Sequence, residues 1–287
     1  MRSDSPVMAE TIGKIAGVEV GDARAAVGRN PLWYHTMEVA PGVATPGWFD
    51  LRGVVDRMPW PDVRGRRCLD VGTYDGFLAF ELERRGAAEV VATDISDHTQ
   101  WDHPVRTRRR AIEHLGSQAG TKGDGFAIAR ELLGSSVERV EISVYDLTPQ
   151  AVGEFDVVVC GSLMLHLRDP LRALSAIHGV CRGLLLSSEE LDFRLTRLLR
   201  RIPVARVDGT SDLGQWWVVN EAGHVRLIEA GGFDVVARSG MYFEPFGPGH
   251  PPVDRSPRRL VRRLAGRRVG VPHAAVLARP VRREPGA

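Results

Sequence analysis

The sequence lacks most of the features that assign a chain to a class at sight. No apolar run approaches the ~18 residues a membrane-spanning helix needs, so no membrane partner is expected. The opening MRSDSPVMAE has no apolar core of the kind a secretory signal carries, and a cytoplasmic location is expected. Cysteine is scarce. Cys68, Cys160 and Cys181 lie far apart in apolar surroundings, without metal-ligand or redox spacing. They read as buried free thiols of a reducing compartment, which sets catalytic cysteine aside. No set of His, Asp and Glu has metal spacing, so neither a bound metal nor a metal-dependent catechol-type mechanism is expected. Internal repeats and low-complexity tracts are missing too. Net charge is only +2, although the basic residues are nearly all arginine and unevenly spread.

What is present describes an ordinary soluble globule. Its 287 residues, 43% hydrophobic and 26% charged, suit one large domain or one domain with additions. Residues 1–60 read as a helical N-terminal cap, and 61–287 as the main domain. In the main domain strand and helix signals alternate. Strands are expected at Arg67–Val71, Glu89–Thr93, Val140–Val144, Phe155–Cys160, Gly183–Ser188, Phe233–Ser239 and His273–Ala278. Helices are expected at Phe77–Arg85, Gly125–Leu133, Pro170–Val180 and Glu221–Ala230, the last stopped by Gly231-Gly232. The pattern predicts an α/β fold: a Rossmann-like, seven-stranded, mostly parallel sheet with helices on both faces.

Connections at the N-terminal strand ends are short, whereas those at the C-terminal ends are long, at about 95–124, 189–219 and 241–272. In open α/β sheets ligands bind at the C-terminal strand ends, so the extra chain lies over the expected site. The third insert, at about 241–272, carries the run RSPRRLVRRLAGRR, Arg255 to Arg268. It fits a solvated face, recognition of an anionic substrate, or nucleic-acid contact.

The most informative stretch is CLDVGTYDGFLAF, beginning at Cys68. Leu69-Asp70-Val71-Gly72 closes a strand, and Gly76-Phe77-Leu78 opens a helix. Gly72 permits the reversal, and Gly76 lets a ligand approach the backbone. Gly72-Thr73-Tyr74-Asp75-Gly76 is not G-x-G-x-x-G, and Tyr74 with Asp75 would crowd and repel a diphosphate. Asp75 suits a cationic or zwitterionic ligand. Asp94, followed by Ile95, should end the next strand, where a carboxylate can accept from both hydroxyls of a ribose.

This stretch resembles motif I of class I S-adenosylmethionine (SAM)-dependent methyltransferases. Asp94 matches the acidic second position. Tyr145-Asp146-Leu147 resembles the third, where an Asp binds the adenine amino group, and FDVVVCGSLMLHLRDPLRAL, with Gly161 and Ser162, the fourth. A narrower likeness runs through Trp33-Tyr34-His35, Pro46-Gly47-Trp48, HLRDP and QWWVVN. These resemble the wobble-uridine tRNA carboxymethyltransferases and their bacterial relatives. Those enzymes hold the extra carboxylate of carboxy-SAM with a lysine and a tyrosine. Here the tyrosine position is Leu165 and residues 33–64 contain no lysine, so SAM is the expected cofactor rather than carboxy-SAM.

Individual residues carry paired readings. Tyr74 lines the cofactor's methionine end or the substrate mouth, or packs beneath the N-terminal extension. Trp101 stacks on adenine or anchors its insert. Asp146 binds adenine or caps a turn. His166 and His35 are the general-base candidates, with a structural histidine as the alternative. Tyr34, Trp48, Glu189, Trp216 and Trp217 are assigned to the substrate side, the tryptophans as pocket wall or core. Asp169 with Pro170, and Asn220, read as helix starts. The expected activity is methyl transfer to O, N or C of a small molecule, such as a specialised metabolite or glycoside, anionic if the arginine run meets it. The alternatives are a tRNA wobble-uridine modifier and a non-catalytic SAM-binding protein. Oligomeric state is left open.

Overall fold

The computed structural model describes residues 19–118, 122–210, 214–251 and 270–281. The arginine run Arg255–Arg268 lies outside them. The N-terminal segment forms helix α1 (Val20–Arg29), strands β1 (Glu38–Ala40) and β2 (Val43–Ala44), and a 3-10 turn at Val55–Arg57. The expectation of a helical cap over 1–60 is therefore corrected for residues 30–60. Pro31, Pro41-Gly42 and Pro46-Gly47 interrupt helical hydrogen bonding there.

The alternating core follows: β3 (Arg67–Val71), α2 (Phe77–Arg84), β4 (Glu89–Asp94), α3 (Arg108–Gln118), α4 (Asp124–Leu133) and β5 (Glu138–Glu141). Next come α5 (Pro149–Val152), β6 (Phe155–Gly161), α6 (Pro170–Val180), β7 (Cys181–Glu190) and α7 (Phe193–Leu198). The chain closes with β8 (Ala205–Val207), β9 (Trp217–Val219), α8 (Glu221–Ala230), β10 (Phe233–Pro245) and β11 (Gly270–Pro280).

Among the described residues a seven-stranded sheet has the order β10-β11-β7-β6-β3-β4-β5. Strands β3 to β7 run parallel, and β11 is antiparallel to β7 and β10. Strand β3 pairs with β4 on one side and β6 on the other, so the chain changes direction across the sheet beyond Val71. A ligand crevice opens at such a switch point.

Strand side chains alternate between two cores. Cys68, Val157 and Leu186 pack with α2, α4 and the N-terminal segment, where Trp33 is 1% exposed. Leu69, Val71 and Val158 pack with α6 and α8. The N-terminal segment is thus part of the core. The helix starts read from sequence hold: Asp169 accepts from the Arg172 N–H at 3.0 Å, and Asn220 from the Gly223 N–H at 2.8 Å.

Three differences alter the surroundings of the crevice. The strand expected at Val140–Val144 ends at Glu141, because the Ser143 hydroxyl caps Tyr145 N–H at 3.3 Å and starts a 3-10 turn at Val144–Asp146. The insert placed at 241–272 is shorter, since Met241–Pro245 and Gly270–Pro272 extend the β10–β11 ladder. The insert at 95–124 contains α3, which the sequence reading passed over. No helix among the described residues is long and apolar enough to cross a membrane.

Candidate active site

The corner between β3 and α2 is held in unusual backbone geometry. Gly72 and Gly76 have φ of 78° and 94°, and Tyr74 has φ of 51°. For a residue with a side chain the left-handed region costs roughly 1–2 kcal/mol, which explains why many such turns carry glycine at the tyrosine position. The strain is offset because the turned Tyr74 N–H donates to Asp94 Oδ2 at 2.7 Å. Gly76 has a different role from the one expected. A Cβ there would lie 2.4 Å from the Phe80 ring and 2.8 Å from the Phe126 ring, so the glycine makes room for internal packing.

Asp75 is likewise reassigned. It is 1% exposed, and Oδ2 accepts the Tyr34 and His35 N–H groups, both at 2.8 Å. Oδ1 bonds His35 Nδ1. The carboxylate therefore ties the N-terminal segment to the corner and faces no ligand. Burial pulls the His35 pKa down, but Asp75 outweighs it and the net shift is upward. Asp75 thus holds the His35 ring through Nδ1 and increases its basicity, leaving Nε2 as its other nitrogen.

Among the described residues, two buried polar atoms at the strand end, Asp70 Oδ2 and Thr73 Oγ1, make no hydrogen bond of good geometry, on residues 1% and 3% exposed. Burial raises the Asp70 pKa to about 7, offset in part by the nearby Thr73 hydroxyl and His35. Buried polar groups are rarely left unpaired, and these two fit a ligand donor such as the amino group of SAM.

Asp94 ends β4. Its Oδ1 accepts the Ile95 N–H at 2.7 Å and the Lys122 ammonium at 2.6 Å. Lys122 Nζ also lies 4.1 Å from the Trp101 ring centroid and 4.9 Å from that of Tyr74. Trp101 donates to Ile95 O at 3.2 Å. Asp94, Tyr74, Ile95 and Trp101, all named from sequence, thus come together. Lys122 was missed, although it is one of only two lysines in an arginine-rich chain.

On the neighbouring strand, His166 sits in a 3-10 turn (Met164–His166) after β6, with Nδ1 3.4 Å from Gly214 O. Burial lowers its pKa to about 4, and Lys122 and His103 add to the shift, so the ring is neutral at pH 7. Glu189 was expected to meet substrate. Instead its Oε1 accepts Leu163 and Met164 N–H, both at 3.0 Å, and fixes the turn that carries His166. Burial raises its pKa to about 7. Trp216 braces the same turn through its backbone N–H to Leu165 O at 2.8 Å and reaches the 95–124 insert through Nε1 to Asp102 O at 2.6 Å. Trp217 Nε1 donates to Leu167 O at 3.0 Å, just after the turn. Tyr145 donates its hydroxyl to Asp102, so it too serves this brace.

Asp146 stands apart. Its side chain is 67% exposed and lies 3.9 Å from Arg172. Leu147 is buried in the apolar core with α6. Gly161, in register with Ser188, ends β6 beside Ser162, and a Cβ on it would be 3.1 Å from Ser188 O. On the side of the N-terminal segment, Tyr34 lies 5.0 Å from Tyr74 and 6.3 Å from Trp48, centroid to centroid. Burial, then Glu244 and Glu190, push the Tyr34 pKa well above its ordinary value. His273 lies opposite both Glu190 and Tyr242 in the sheet, and its Nε2 is 3.4 Å from Glu244. Glu244 and His273 were not singled out from sequence: Glu244 fell within the insert placed at 241–272, and His273 in a strand of ordinary alternation.

Comparison with known proteins fits this geometry. The methyltransferase-domain family profile matches residues 50–238. A ubiquinone biosynthesis O-methyltransferase of Neisseria meningitidis serogroup C is 31% identical over 125 residues, which cover 43% of this chain and 41% of that protein. This chain thus spans about two-fifths of the length of that curated relative. Its serogroup A counterpart is 27% identical over 63% of this chain and 69% of its own length. The solved 1,6-didemethyltoxoflavin-N1-methyltransferase of Burkholderia thailandensis is 17% identical with a TM-score of 0.45, covering 76% of this chain and 72% of that one. The profile spans well over half of the sequence, and the chain belongs to the methyltransferase-domain family.

Proposed function

We propose that the protein transfers the methyl group of SAM to a nucleophile on a small molecule, with oxygen favoured as the accepting atom. The observation that carries this reading is the β3–α2 corner. Asp94 gathers the backbone at one end, while at the other Asp70 Oδ2 and Thr73 Oγ1 stand buried without a hydrogen bond of good geometry among the described residues. Asp94 would hold the ribose, Trp101 and Tyr74 would flank the adenosine, and Asp70 with Thr73 would meet the amino acid end. SAM supplies an electrophilic methyl group on a sulfonium. The chain's own work is to align the acceptor and exclude water. His166, neutral and with Nδ1 turned to Gly214 O, leaves Nε2 as a proton acceptor for a hydroxyl nucleophile. The preference for oxygen is supported by the O-methyltransferase names of the curated relatives.

Glu190 and Glu244 beside Tyr34 favour a neutral or cationic acceptor over an anionic one. The test is incubation of the purified protein with methyl-labelled SAM and fractionated cell extract. Label in the small-molecule fraction, base-stable as expected for an ether, supports the reading. Label confined to tRNA, or SAM binding with no transfer to any fraction, overturns it.

A further inference from the structure

Lys122 sits where a surface cation has no reason to be. Its side chain is 8% exposed and that of Asp94 9%. Burial lowers its pKa, and Asp94 counteracts this. The ammonium is sandwiched by contacts to one carboxylate and two ring faces. A carboxylate offers about four lone-pair positions. In Asp94, Oδ1 already accepts twice, from Ile95 N–H and Lys122, and Oδ2 once, from Tyr74 N–H. One position is left, whereas a ribose diol asks for two. The two rings are the surfaces an adenosine would lie against. Lys122 and an adenosine therefore compete for the same carboxylate and the same rings.

Resting on the assignment of Asp94 to the ribose, we propose that Lys122 is an internal occupant of the adenosine seat. Its ammonium neutralises Asp94 in the cofactor-free protein and is expelled when the cofactor enters. Cofactor affinity is then an exchange: the gain from seating the nucleoside is reduced by the contacts Lys122 gives up. The residue type fits the task. In a chain that otherwise uses arginine almost throughout, a compact ammonium on a flexible four-carbon stem can enter and leave a narrow seat that a planar guanidinium would fill differently.

Two measurements on the full chain decide the matter, both with S-adenosylhomocysteine as ligand. The first is calorimetric titration of wild type, Lys122→Met and Lys122→Arg. Methionine keeps an apolar stem without the charge, so Lys122→Met is expected to bind at least ~10-fold tighter than wild type, and Lys122→Arg no tighter. The second uses lysine labelled with 13C at Cε. The sequence contains only Lys14 and Lys122, so two signals are expected. The Lys122 signal should start upfield, shielded by the Trp101 and Tyr74 rings, and lose that shift at saturation. Equal or weaker binding by Lys122→Met overturns displacement, as does a wild-type signal that keeps its ring shift when ligand is bound. If wild type and variants are folded and none binds, the assignment of Asp94 fails and this proposal with it. Should Lys122→Met not fold, the labelled wild-type protein decides alone.

Discussion

Asp75 and Asp94 stand at two ends of one corner, both nearly enclosed, yet their partners differ in kind. Asp75 accepts two backbone N–H groups and an imidazole, all from the N-terminal segment. None of these donors can withdraw unless the segment itself moves. Asp94 accepts two local N–H groups and one side-chain ammonium at the tip of a long stem. That last partner can leave by bond rotation alone. Burial and charge are alike at the two positions, so neither marks a ligand site. On the role proposed for Asp94, what separates a structural acid from a binding one here is whether its partner is exchangeable.

The strongest way to break this contrast is Asp75→Ala. It strips the partner from the His35 imidazole and from two buried N–H groups. Removing one side of a buried, hydrogen-bonded pair costs about 3–5 kcal/mol. Urea unfolding should show a loss of that order, with ligand affinity falling only as the N-terminal segment loosens. A loss below ~1 kcal/mol would remove Asp75 from its clamping role.

The histidines extend the contrast through pH. His166 has its pKa lowered to about 4, so the unfolded chain binds the extra proton first as pH falls. Its stabilising contribution is complete above pH ~6.5, is lost between there and pH ~4, and amounts to at most about 3 kcal/mol. His35, with its pKa raised, acts in the opposite sense: its contribution is complete below pH ~6.5 and is lost as pH rises through the folded value. His166→Gln should flatten the acid limb of a stability–pH profile, and His35→Gln the alkaline limb. An acid limb unchanged in His166→Gln would mean that this ring is not buried as described.

For Asp94→Ala the principal loss is in binding. Affinity for S-adenosylhomocysteine should fall at least ~100-fold, about 2.8 kcal/mol. Stability should also drop by ~1–3 kcal/mol, because Lys122 and the Tyr74 N–H lose their acceptor. Adding Lys122→Met should recover much of the stability and none of the affinity. Calorimetry and urea unfolding on the four proteins of this double-mutant cycle test both halves. Affinity within ~3-fold of wild type would take Asp94 out of the cofactor site.

Local patterns were legible in the sequence, whereas side-chain partners often were not. The alternation of strands and helices, the Asp169 and Asn220 caps and the glycine reversal all depend on neighbours a few residues away. Tyr74, Asp94 and Trp101 could be gathered because strand ends meet at one edge of a parallel sheet. The partner of Asp75 lies about 40 positions away, and Lys122 lies 28 from Asp94 across an insert with its own helix. No periodicity reports such pairings. The hint that could have found Lys122 was compositional: a lone lysine in a region where every other basic choice is arginine or histidine.

Asp146→Ala gives the smallest expected effect and sharpens the contrast from outside. By position Asp146 matches an adenine-binding acid, but its carboxylate is two-thirds exposed and its ion pair with Arg172 spans 3.9 Å. An exposed pair of that length is worth about 0–1 kcal/mol, and solvent screens it. If enclosure together with an exchangeable partner is what makes a binding acid here, Asp146→Ala should change S-adenosylhomocysteine affinity by less than ~3-fold and stability by under ~0.5 kcal/mol. A loss approaching that of Asp94→Ala would show that ligand entry draws Asp146 inward from solvent. The rule drawn from Asp75 and Asp94 would then have to include acids that only become enclosed once the ligand is present.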